Sequence, residues 1–89
     1  MNSAPEVLVG QLVIADFDGP WMVIGRLQAA GPDWLEFADA DLHDLGEGSS
    51  TRDVYALETQ KLGVRVNRRR VSVPLSRVVA LSRLDDVTA

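Results

Sequence analysis

The uninterrupted apolar runs Val7–Val9, Leu12–Ala15, Trp21–Ile24 and Val78–Leu81 are three or four residues long, and glycine, aspartate or serine follows each. A buried helix needs apolar positions recurring over about ten residues or more, whereas short runs bounded by turn formers suit strands. This pattern points to a mainly β chain. A secretory leader needs about 7–15 consecutive apolar residues and a membrane helix about 20. The expectation is therefore a soluble protein with no membrane contact, and the reducing cytoplasm is its default compartment.

The elements follow from the punctuation. Ser3 and Glu6 make a capping-box pattern with Pro5 in the first turn, which predicts a short helix over residues 4–9, ended by Gly10. Gln11 to Phe17 reads as a strand, and Asp18-Gly19 between apolar runs predicts a hairpin turn. Trp21 to Ala29 is a second strand, with Gly25 marking a bulge or bend. The third strand begins at Trp34. Its inward residues are Leu35 and Phe37, then Ala40 and Leu42, a break in alternation that predicts a bulged, strongly bent strand.

His43 to Ser50 reads as a polar loop, after which Ser50 or Thr51 caps a helix over Arg52–Leu62. That helix carries Val54, Leu57, Lys61 and Leu62 on one face and ends at Gly63. Val64 to Asn67 and Val71 to Val73 alternate as two short strands around Arg68-Arg69-Arg70, which would stand at the tip of a tight hairpin. Pro74 to Arg77 suits a single turn, and Val78 to Ser82 the last strand.

With 89 residues, 46% hydrophobic and 25% charged, the chain reads as one domain over 1–89. The absence of cysteine excludes a disulfide scaffold and thiolate metal sites, and His43 is the single histidine. No cofactor is expected. Asp39, Asp41 and His43, at a spacing of two, would share one side of a strand. The expectation for them is the wet face of an amphipathic strand, with no metal bound. No set of residues forms a nucleophile–base pair, so the chain is not expected to be an enzyme.

Charge is unevenly divided. Residues 1–50 hold nine acids against Arg26 alone, a net −8, whereas residues 51–89 hold eight bases against four acids, a net +4. Arg65, Arg68, Arg69 and Arg70 are the candidate RNA-binding residues, because guanidinium groups grip phosphates with two hydrogen bonds. The other reading of the same arginines is a solvated turn or a set of ion pairs to a neighbouring subunit. Trp34 with Val78, Val79, Ala80 and Leu81 is the candidate interface, since this last apolar run carries no charge between Arg77 and Arg83.

The order of these elements resembles the Sm-like (LSm) family. The residues that carry the likeness are Val23–Leu27 around Gly25, Trp34–Phe37 through Asp39–Asp41, and Val71–Leu81 around Pro74. The resemblance implies a small five-stranded, strongly bent open barrel with a short N-terminal helix, and here a helix inserted between strands three and four. It also implies a ring of identical subunits joined edge to edge, with single-stranded RNA as ligand. The family's nucleotide-contacting asparagine precedes strand three, and its Arg-Gly or Lys-His pair lies between the last two strands. Those places hold Asp33-Trp34 and Val73-Pro74-Leu75-Ser76. Two functions fit: a homo-oligomeric RNA-binding ring, or a protein–protein interaction or scaffold module with no nucleic-acid role.

Overall fold

A computed structural model of the chain describes residues 4–48 and 50–89. The elements are α1 (Ala4–Val7), β1 (Leu12–Phe17), β2 (Trp21–Ala30), β3 (Trp34–Asp44), α2 (Arg52–Leu62), β4 (Arg68–Pro74) and β5 (Val78–Arg83). Short 3-10 turns follow β3 (Leu45–Glu47), β4 (Leu75–Arg77) and β5 (Leu84–Asp86). The strands form one antiparallel, bent open sheet in the order β4-β3-β2-β1-β5. Among the described residues the outermost strands β4 and β5 therefore each pair on one side only.

The helix α1 is shorter than the sequence suggests and passes into tight turns, with Leu8 N donating to Pro5 O and Val9 N to Glu6 O. The capping serine, Ser3, lies outside the described residues. Gly10 ends this segment at φ +92°, a left-handed conformation that costs a glycine little, and its N–H reaches Leu27 O at 2.7 Å.

The bend is built where β2 meets β3. Ile24 pairs with Asp41 and Arg26 with Ala38, so two residues of β3 oppose Gly25 alone, and Asp39 takes φ +48°. This is the bulge that the broken alternation predicts. The strands approach so closely here that a Cβ on Gly25 would lie 2.8 Å from Ala40 Cβ and 2.9 Å from Ala40 Cα.

Alternation along bent strands divides the apolar residues between two faces. Val13, Ala15, Val23, Leu27, Leu35, Phe37, Ala40 and Val73 fill the face that the sheet encloses, with Val78 and Leu81 packed against them. Ile14, Met22 and Ile24 point the other way, beneath Tyr55 and Ala56 of α2 and Leu84 of the final turn.

The helix α2 has the expected bounds, but its packed face is different. Tyr55, Ala56 and Thr59 are buried, while Val54 is exposed and Leu62 is 72% exposed. Polar anchors set this rotation: Tyr55 donates its hydroxyl to Asp41, and Gln60 Nε2 donates to Leu84 O at 2.9 Å and Val87 O at 3.0 Å. Thr51 is the N-cap, its Oγ1 accepting from Val54 N at 3.2 Å. Arg52 at the first turn donates to Asp16 Oδ1 and to the carbonyls of Phe17, Gly19 and Trp21, holding the β1–β2 turn against the helix.

The expected hairpin around the arginines is not formed. Residues 63–67 are not a strand, and Arg68, Arg69 and Arg70 lie within β4, where Arg68 opposes Ala40 and Arg70 opposes Ala38. The cause is Asn67. Its Oδ1 accepts from Leu42 N at 2.9 Å and its Nδ2 donates to Leu42 O at 3.1 Å, so one side-chain amide occupies both backbone groups that a further strand would pair with. Asn67 N then donates to Ala40 O at 2.9 Å, and β4 begins at the next residue.

Candidate functional site

Two places on the sheet could meet a nucleic acid, and they lie at opposite ends of β4. The first is the pair of turns that the family resemblance singles out. Leu75 N donates to Asp33 O at 2.8 Å, so the β2–β3 and β4–β5 turns do sit side by side. Beside them is a hollow lined by Pro5, Glu6, Ala30, Gly31, Pro32 and Leu75. Its one charged side chain is acidic, which opposes rather than attracts phosphate. Trp34, 55% exposed, stands at this end.

The second place is the start of β4. Arg65, Arg68, Arg69 and Arg70 are all exposed. Arg70 lies 3.4 Å from Glu36 Oε1, a contact between exposed groups that contributes little. Arg68 Nη1 donates to Asn67 O at 3.0 Å, and the Arg65 guanidinium lies 5.8 Å from the centroid of the Tyr55 ring. Because they belong to a strand, Arg68 and Arg70 point to one side and Arg69 to the other. Arg68 and Pro74 are the two ends of the 7-residue strand β4, about 20 Å apart, so the basic patch and the paired turns are distinct surfaces.

Beside the arginines lies a polar network, buried at Asp41 and Tyr55, that sequence reasoning did not assemble. Asp41, 2% exposed, accepts from the Tyr55 hydroxyl and from Asn67 Nδ2 at 3.1 Å. His43 stacks on Tyr55 with ring centroids 3.8 Å apart and planes 13° from parallel. Burial and the neighbouring Asp41 carboxylate push the Tyr55 hydroxyl up to about 12, because both oppose a phenolate. The network ties β3, α2 and the segment before β4 together and so positions the arginines. Its one signal in the sequence was the period of two that places Asp41 and His43 on the same side.

The expected grouping of Asp39, Asp41 and His43 is corrected by this geometry. Asp39 is turned out in the bulge, exposed, while the Asp41 oxygens are occupied by donors. Among the described residues, no three metal-ligating side chains come together.

The candidate interface residues are divided between roles. Val79, 67% exposed, and Ala80 face outward on β5, while Val78 and Leu81 turn back onto the enclosed cluster. At the turn before β5, Asp18 Oδ2 accepts from Arg77 Nε at 2.9 Å, and this hydrogen bond, helped by the Arg77 charge, holds the Asp18 carboxyl below its usual range.

Comparison with known proteins bears on the fold. No protein-family model and no curated protein sequence matches the chain. Among solved structures, the chain is similar to the Sm protein of Pyrococcus abyssii in complex with a uridine heptamer, with a TM-score of 0.60 and 15% sequence identity. The match covers 89% of this chain and 90% of the other, and it establishes an Sm-like fold.

Proposed function

We propose that this protein is a non-enzymatic, Sm-like subunit that joins copies of itself edge to edge in a ring and binds single-stranded RNA. The observation that carries the reading is the open sheet: β4 and β5 each leave one edge unpaired, and β4 carries three exposed arginines. Unpaired edges favour strand addition, and a head-to-tail contact between different edges closes into a ring when the rotation permits. The outward Val79 and Ala80 of β5 suit such a contact. The solved Sm protein of the same fold is bound to a uridine heptamer, which supports RNA as the ligand class here.

Arg65, Arg68, Arg69 and Arg70 are the phosphate-binding set in this reading. Four such contacts on single strands give log affinity against log salt a slope of about −3. Gel shift with an oligouridylate across salt concentrations, together with light scattering of the free protein, tests both parts. The expected results are the stated slope, loss of the shift when Arg68, Arg69 and Arg70 are replaced by alanine, and a mass several times that of the chain. A monodisperse monomer at micromolar concentration removes the ring. If the triple replacement alters assembly and the protein never shifts RNA, the arginines serve a protein contact, and the scaffold reading replaces this one.

A further inference from the structure

At the end of the β2–β3 hairpin away from its turn, a cleft of about 400 Å³ opens, within the usual size for small-molecule sites. Trp21, His43, Asp44, Glu47, Gly48 and Arg68 line it. Trp21, at the start of β2 and 41% exposed, presents an indole to it. The residue opposite it in the ladder is Asp44, whose Oδ1 accepts from Gly46 N at 2.8 Å and whose second oxygen takes no hydrogen bond among the described residues. Glu47 takes part in no side-chain hydrogen bond or ion pair among the described residues.

Arg68 completes the set, and its chemistry is complementary to these acids. Yet among the described residues it pairs with neither Asp44 nor Glu47 and donates only to the adjacent Asn67 carbonyl. The cleft thus offers a π surface, carboxylate oxygens that only accept, and a guanidinium that only donates, with the opposite charges unneutralised by one another. A nucleotide satisfies all three at once. Among the bases, guanine suits the carboxylates best, because its N1–H and N2–H2 donate side by side to the two oxygens of one carboxylate. Adenine and cytosine bring an amino donor beside an acceptor that repels the carboxylate, and uracil brings one N–H between two carbonyls.

We propose that this cleft holds a guanosine of single-stranded RNA, with Trp21 stacked on the base, the two oxygens of the Glu47 carboxylate accepting from its N1–H and N2–H2, and Arg68 on its phosphate. The proposal rests on the RNA reading above and adds to it a base preference and a place. The cleft is remote from the paired turns at the other end of β4, and Arg68 belongs both to it and to the basic patch. Stacking and a two-point base contact each change affinity by tenfold or so.

The test compares two eight-nucleotide RNAs by fluorescence anisotropy, one of uridine alone and one with a single central guanosine, and titrates GMP, AMP and UMP against tryptophan fluorescence. The expected results are about tenfold tighter binding of the guanosine oligomer and saturable quenching strongest with GMP. Quenching disappears in Trp21→Phe, and in Glu47→Gln the guanosine oligomer binds only as well as oligouridylate. Circular dichroism melts confirm that each variant is folded. Equal binding of the two oligomers, with no preference for GMP, overturns the guanosine site and leaves the RNA reading standing. GMP quenching with neither oligomer bound overturns RNA as the source of the base, and binding of neither oligomer with no quenching by any of the three nucleotides overturns both readings.

Discussion

The two faces of the sheet are stabilised in different ways. The enclosed face is apolar throughout, with Phe37, Leu27, Leu35, Val13 and Val23 fully buried. The opposite face buries fewer apolar side chains, and it is fixed by hydrogen bonds from Tyr55 to Asp41, from Asn67 to Leu42 and from Gln60 to Leu84 and Val87. Burial alone gives a surface without a strong preference for how its cover is rotated, because apolar contact is not directional. The polar anchors supply that direction, and they explain why α2 packs through Tyr55, Ala56 and Thr59 although Val54 and Leu62 are more apolar choices.

This contrast sets an order of expected effects. Phe37→Ala opens a void in the enclosed cluster and costs about 3–5 kcal/mol in urea unfolding, with the whole sheet lost together. Tyr55→Phe removes one of the two donors to the buried Asp41, leaving its Oδ2 unpaired with only Asn67 Nδ2 on Oδ1, and costs about 1.5–3 kcal/mol. It also has a signature in pH. The neutral phenol is favoured in the fold and ionises at about 12 rather than at the usual 10.0, so its contribution is full below pH 10 and is lost as pH rises towards 12. The Tyr55-dependent part of the alkaline decline should vanish in the phenylalanine variant.

Gly25→Ala sets a methyl group 2.8 Å from Ala40 Cβ and costs about 1–3 kcal/mol, while Gly25→Ala combined with Ala40→Gly recovers part of the loss. Gln60→Ala is the smallest, about 1 kcal/mol. It should speed hydrogen exchange at residues 84–87 while leaving β1 to β3 protected. Should Tyr55→Phe expose the enclosed face to exchange as fully as Phe37→Ala does, the two faces form one cooperative unit and the distinction between them fails.

The enclosed face was legible in the sequence because it rests on local regularities. The short apolar runs of β1 and β2 about the Asp18-Gly19 turn, the glycine at 25 and the break between Phe37 and Ala40 each act within a few residues. The opposite face depends on contacts between distant positions: Tyr55 with Asp41, Asn67 with Leu42, Gln60 with Leu84. No local period announces such pairs. The same limit displaced the arginines from a hairpin tip into a strand, since Val64 to Asn67 alternates well enough for a strand and only the Asn67 amide decides otherwise. The four arginines were identifiable from composition, but the cleft with Trp21, Asp44 and Glu47 was not, because it joins the first residue of β2 to the turn after β3.

The Asn67 amide has a consequence for how the chain can vary. Because it grips both backbone groups of Leu42, it sets the frame in which every later residue of β4 is read. Adding or deleting a residue between Gly63 and Asn67 disturbs the contacts of Val64 and Arg65 but leaves the frame beyond the fixed pin unchanged. The same change placed between Asn67 and Val71 would turn the guanidinium groups beyond it to the reverse side of the strand, converting a basic surface into its mirror without altering the composition by more than one letter.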